Sequence, residues 1–200
     1  MKPLSPSAER ICVIAITHFA ERGYDASSLN DIAVAAGMRK PSLYAHFASK
    51  DALFDAAWSM ALAGERIYVE SCFSETADDE TAGKRYTQLL SERYQESPSL
   101  RFLLRTAFFP PVELRPIVSA GFEAYLERMS ELFSASLVKS YPLLPSVEVA
   151  MFKDAYIAVI DSLHVELIYG NSQVFERRLS ALWRMLGDSL SLATGEVARG

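Results

Sequence analysis

Ser28-Leu29-Asn30-Asp31-Ile32-Ala33, then Ala36-Gly37-Met38-Arg39 and Lys40-Pro41-Ser42-Leu43-Tyr44-Ala45-His46-Phe47, decide how the rest of this chain is read. Ser28 is a hydroxyl N-cap placed three residues before a carboxylate, a capping box with Asp in place of Glu or Gln. A short helix over 28–36 is expected to stop at Gly37. Pro41 is tolerated in the first turn of a second short helix over 40–47, where its missing N–H has no partner to lose. Two short helices joined by a glycine turn have the size of a helix-turn-helix, whose second helix enters the major groove by its N-terminal half.

The second helix has two chemically distinct faces. Leu43 and Phe47, four apart, are expected to pack on Ile32 and Phe19. Lys40, Ser42, Tyr44 and His46 are polar. Lys40 suits a phosphate or a guanine edge, Ser42 a phosphate, Tyr44 and His46 hydrogen bonds or stacking, and the Pro41 ring a thymine methyl. The N-terminal fifty residues carry six cations (Lys2, Arg10, Arg22, Arg39, Lys40, Lys50) against four carboxylates, a net of +2 within a chain of net −5. A locally basic head on an acidic body is compatible with phosphate contact, which whole-chain charge would hide.

Outward from this segment, apolar residues recur at three and four, without sustained alternation at two, so the chain is expected to be all-α. Helices are expected over about 7–22, 28–36, 40–47, 50–73, 82–95, 100–108, 112–140, 146–169 and 172–193. The acidic stretch 74–81 is expected to be a loop, and Pro98, Pro110-Pro111, Pro142 and Pro145 punctuate the body. Ile117, Gly121, Tyr125, Met129, Leu132 and Phe133 are expected on the buried side of the seventh helix. Two domains follow: a reading head over 1–50 and a helical sensing and dimerisation body over 51–200.

Half of the 200 residues are apolar, enough for a sizeable core. No run approaches the ~20 apolar residues that span a bilayer, and the start lacks an apolar signal core, so a cytoplasmic protein is expected. The two cysteines, Cys12 and Cys72, suggest neither a disulfide framework nor a thiol metal site. His18 has no second ligand at metal spacing. A phosphate-cradling glycine loop, a nucleophile elbow, a His-Glu zinc helix and a close acid-base pair are all missing, so no enzyme, cofactor or metal is expected.

Phe19-Ala20-Glu21-Arg22-Gly23-Tyr24, Ser28–Ala33, Ala36-Gly37-Met38 and especially Leu43-Tyr44-Ala45-His46-Phe47-Ala48-Ser49-Lys50 resemble the TetR family of transcriptional regulators. The resemblance is strong over about residues 9–60, and Phe175–Trp183 is similar to the family's last helix. It implies DNA contacts at Ser28, Asn30, Lys40, Pro41, Ser42, Tyr44, His46 and Lys50. Arg39, where members often carry a capping Ser or Thr, offers a further phosphate contact, and His18 occupies a position usually apolar. The resemblance also implies an effector cavity among the body's helices. Phe102, Arg105, Phe109, Tyr125 and Tyr156 are the expected lining, suited to an apolar or aromatic small molecule.

The last two helices carry apolar residues at three-four spacing, among them Phe152, Val159 and Leu163, then Phe175, Leu179, Leu182 and Leu186. By resemblance these helices form a four-helix interface between two copies, setting two heads on a palindromic duplex. The expected partners are therefore double-stranded DNA, a second copy and a small effector. The expected function is a ligand-responsive repressor. An activator of the same family, or a helical interaction module without DNA affinity, are the alternatives.

Overall fold

The computed structural model describes residues 4–74 and 81–195. Most of the expected loop 74–81 lies outside the described residues. Within them there is no strand, and the helices are α1 (Pro6–Arg22), α2 (Leu29–Ala35), α3 (Lys40–Tyr44), α4 (Lys50–Ser74), α5 (Lys84–Glu96), α6 (Pro98–Phe108), α7 (Arg115–Ser140), α8 (Ser146–Tyr169) and α9 (Ser172–Thr194). The all-α expectation holds.

Local chemistry explains the boundaries. Ser5, Ser28, Ser97 and Asn171 each accept a backbone N–H as N-caps. Pro111 cannot continue α6, and a single 3-10 turn over Val112–Leu114 precedes α7, so that helix starts at Arg115 and not at residue 112. The expected buried stripe of α7 is also corrected. Ile117 is exposed, and Val118, Tyr125, Met129, Phe133 and Leu137 carry the buried side. Steps of four drift round a helix of about 3.6 residues per turn, so Ile117, eight residues before Tyr125, ends roughly 80° off the buried side, whereas Val118, seven before it, stays within about 20°.

The described residues fall into two compact units, one from residues 4–66 and 95–124, the other from residues 67–74, 81–94 and 125–195. These do not follow the division at residue 50. The reason lies in α6, whose Phe102 and Leu103 belong to one apolar cluster with Ile11, Phe19, Ile32, Leu43, Phe47, Phe54 and Trp58. Phe102 stacks on Phe19 at 5.7 Å and meets Phe54 and Trp58 edge-on at 5.4 and 5.7 Å. Such aromatic pairs add ~0.5–1.5 kcal/mol each beyond their buried area. Gly121 of α7 lets Trp58 lie close, since a Cβ there would stand 2.6 Å from the indole Nε1.

The second unit has its own core. Phe133 stacks on Tyr156 at 4.2 Å, Tyr156 donates to the Gly83 carbonyl, the Tyr86 and Tyr125 hydroxyls meet at 3.2 Å, and Trp183 donates to Thr87. Arg178 of α9 pairs with Glu166 of α8 at 2.8 Å and donates to Ser162.

His164 is fully buried in this unit, and burial lowers its pKa from 6.5 to about 3. The unfolded chain therefore binds a proton at this position below about pH 6.5 that the folded chain refuses until about pH 3. Its contribution is lost as pH falls through that window. Asp161, whose carboxyl is pushed up by burial, works in the opposite sense. Urea unfolding at pH 7 and pH 5 should show a smaller loss for His164→Gln than for the wild type; an identical loss would place the acid sensitivity elsewhere.

Candidate nucleic-acid interface

The segment from Ser28 to Lys50 folds as the capping chemistry requires, with one difference. Ser28 Oγ accepts the Asp31 N–H at 3.1 Å, and the Asp31 carboxylate accepts the Ser28 hydroxyl at 2.7 Å. Asp is one methylene shorter than the Glu of a full box, so its carboxylate closes on the hydroxyl. Gly37 takes φ +66°, the left-handed turn that a side chain would disfavour, between α2 and α3. α3 covers only Lys40–Tyr44, shorter than the expected 40–47, but His46 and Phe47 still send their N–H groups back to Leu43.

The two faces separate cleanly. Leu43 is fully buried and Phe47 nearly so, both in the cluster that holds Ile32 and Phe19. Arg39, Lys40, Pro41, Ser42, Tyr44 and His46 are exposed, as are Ser28 and Asn30. Arg39 occupies the N-cap of α3, but a guanidinium carries donors only and cannot accept a first-turn N–H, so α3 starts without a side-chain cap. Lys40 Nζ lies 5.7 Å from the Tyr44 ring centroid, placing a cation and a phenol side by side on the exposed face of α3.

Lys50 is placed differently from the other expected contacts. It is half-buried, and its Nζ donates to the Tyr24 and Ser27 carbonyls at 2.9 and 3.1 Å. Nothing in its local sequence signals these partners, which lie 26 and 23 residues earlier.

The residues expected to line an effector cavity are divided between the two units. Phe102 is a buried ring in the core cluster of the first unit. Arg105 is exposed, and its guanidinium packs on Gly23, 3.1 Å from where a Cβ would stand. Phe109 closes α6 and is 62% exposed. Tyr125 and Tyr156 are buried in the second unit, their hydroxyls engaged with Tyr86 and Gly83.

A cavity of about 410 Å³ lies instead on α8 and α9, with Met151, Ala155, Val159, Ala181, Met185 and Leu186 among its walls. Within one copy, Phe152, Leu163, Phe175, Leu179, Leu182 and Leu186 are already buried. Of the residues found by three-four spacing, Phe152, Val159, Leu182 and Leu186 also border this groove. The outward face lies one step round and carries Val147, Met151, Met185 and Leu192, all exposed.

Burial leaves the cysteines unreactive in character. Both are buried, and burial together with Glu9 pushes the Cys12 thiol up to about 11. Among the described residues no cluster of three metal-ligating side chains occurs, and none of the helices is long and apolar enough to cross a membrane.

An all-α chain with an exposed polar α3, docked through Leu43 and Phe47 behind a glycine turn, has the form of a helix-turn-helix protein. This chain matches the family model "Bacterial regulatory proteins, tetR family" over residues 13–57, the segment that holds α2, the glycine turn and α3. It is 45% identical over 47 residues to the biofilm operon icaADBC HTH-type negative transcriptional regulator IcaR of Staphylococcus aureus (strain Newman). That match covers 24% of this chain and 25% of the relative. The fold extends further. A TetR-family transcriptional regulator from Cytophaga hutchinsonii aligns with a TM-score of 0.70 and 16% identity, covering 94% of this chain and 98% of that one. The transcriptional regulator FadR from Bacillus subtilis, in complex with stearoyl-CoA, aligns with a TM-score of 0.64 and 17% identity, covering 87% and 96%.

Proposed function

We propose that this protein is a cytoplasmic, homodimeric repressor that binds a palindromic operator through α3 and is released by a small apolar or aromatic effector. The observation that carries the DNA-binding part is the division of α3: Arg39, Lys40, Ser42, Tyr44 and His46 exposed, Leu43 and Phe47 buried behind them. A helix anchored by one face and polar on the other, with cations at its N-terminal end, suits insertion into the major groove and phosphate pairing at its edge. Ser28 and Asn30, exposed at the start of α2, are the flanking contacts.

Repression is supported by the head's similarity to IcaR, a negative regulator. The dimer is supported by the apolar outward face of α8 and α9. For the effector, Tyr125 and Tyr156 of the second unit are the proposed contacts, whereas Phe102 and Arg105 of the first unit serve the head's own packing. Release requires the effector to bind the DNA-incompetent form more tightly, and the operator then weakens effector binding by the same factor.

The test is selection of a duplex from a random-sequence pool, followed by titration over a range of salt. Lys40→Met is expected to weaken binding to every duplex and to reduce the log-log salt slope by about one unit, the loss of one neutralised phosphate. A chain that selects no duplex, or a Lys40→Met variant with unchanged affinity and slope, sinks the assignment of α3 as the reading helix.

A further inference from the structure

The head's cations do not all face outward. Lys50 is the first residue of α4, where an ammonium opposes the helix dipole and needs compensation. It finds this in the α1–α2 loop. Two of its three donors go to the Tyr24 and Ser27 carbonyls, and Nζ stands 3.9 Å from the Tyr24 ring centroid. The Tyr24 hydroxyl donates to Asp51, the next residue of α4. The Tyr24 ring packs edge-on against Phe54 at 5.3 Å. Loop and α4 are thus clasped from both sides of one ring, just ahead of the Ser28 cap that starts α2.

The other end of α2 is held by a second cation. Arg10 of α1 donates from Nη2 to the carbonyl of Ala36, the residue that closes α2, at 3.0 Å. This carbonyl lacks an intrahelical partner, and a guanidinium supplies one along with favourable charge at a helix C-terminus. Arg39 and Lys40 stand exposed at the start of α3.

We propose that the cations of the head have two distinct roles. Lys50, through Tyr24, and Arg10 are positioning residues that fix the two ends of α2 and so the pose of α3, while Arg39 and Lys40 neutralise phosphate. This rests on the DNA-binding reading above. It removes Lys50 from the set of phosphate contacts that the family resemblance implies.

The two roles leave different signatures. A phosphate contact weakens all duplexes alike and lowers the salt slope; a positioning residue leaves the slope and lowers the preference for the selected duplex over a random-sequence one. A merely structural role lowers the thermal midpoint and leaves that preference unchanged. Lys50→Met and Arg10→Met should each reduce the preference about tenfold, the scale of a lost hydrogen bond to a charged group, with the salt slope of the wild type. Lys40→Met should do the reverse. Amide exchange in Lys50→Met should quicken at Ser27 and Asp31, whose N–H groups are held by Tyr24 and Ser28.

The inference is overturned if Lys50→Met or Arg10→Met lowers the slope by about one with the preference intact, or changes neither. Should Lys50→Met not fold, Arg10→Met decides. If the wild type prefers no duplex, it is the DNA-binding reading that has failed, a different result from an altered slope.

Discussion

If α8 and α9 form the proposed dimer, Met185→Glu is expected to yield a monomer and to weaken binding to a two-half-site duplex by about a hundredfold or more, the scale on which a linked second contact raises affinity. Met185 is 69% exposed on α9, beside Met151, 52% exposed on α8, and both line the apolar groove. Neither side chain is needed to hold its own protomer together, so a carboxylate at 185 costs little in the isolated chain. In a dimer that buries this face it would have to leave water without a partner, at a cost of several kcal/mol. Sedimentation velocity reads the mass, and titration on duplexes with one and two half-sites reads the linked contact. The variant should bind the single half-site as the wild type does. A Met185→Glu protein that sediments as a dimer would put the interface elsewhere.

Leu182 makes a poor test of the same idea. It is 6% exposed within one copy, so Leu182→Glu would injure the second unit whether or not α9 meets a partner. Spacing at three and four reveals that a helix has an apolar face, but a helix that packs inside the protomer and also outside it has two. Leu182 and Leu186 follow the first and Met185 the second, and local sequence does not rank them.

The same limit separates what is legible in the sequence from what is not. α8 starts and ends where expected, at Ser146 and Tyr169, because Pro145 before it and Gly170 after it act on adjacent backbone. The polar and apolar faces of α3 are legible because they are set by four-residue spacing within one helix. The place of α6 is not. Its stripe of Phe102 and Leu103 states that it is buried, but not that Phe19 and Trp58 are what it is buried against. Lys50 escapes for the same reason: an ammonium at a helix start reads as free charge until the carbonyls of Tyr24 and Ser27 are seen beside it.

Phe102→Ala is expected to be the most damaging single substitution of those considered for the head. Its ring contacts Phe19 of α1 and Phe54 and Trp58 of α4, and its side chain is 1% exposed. Truncating a buried Phe to Ala costs about 3–5 kcal/mol, lost burial plus the cavity left behind. Against a total stability of roughly 5–15 kcal/mol for a domain, this removes a large share. Thermal midpoint and operator affinity should therefore fall together, since α3 is held by the same cluster through Leu43 and Phe47. Phe109→Ala provides the contrast, because its ring is 62% exposed and truncation should change stability by no more than about 0.5 kcal/mol. A residue that only touches an effector behaves in a third way, losing the response to effector while the free protein keeps its stability and its grip on DNA. If Phe102→Ala follows that third pattern, the ring belongs to an effector site after all, and the aromatic cluster does not hold the head together.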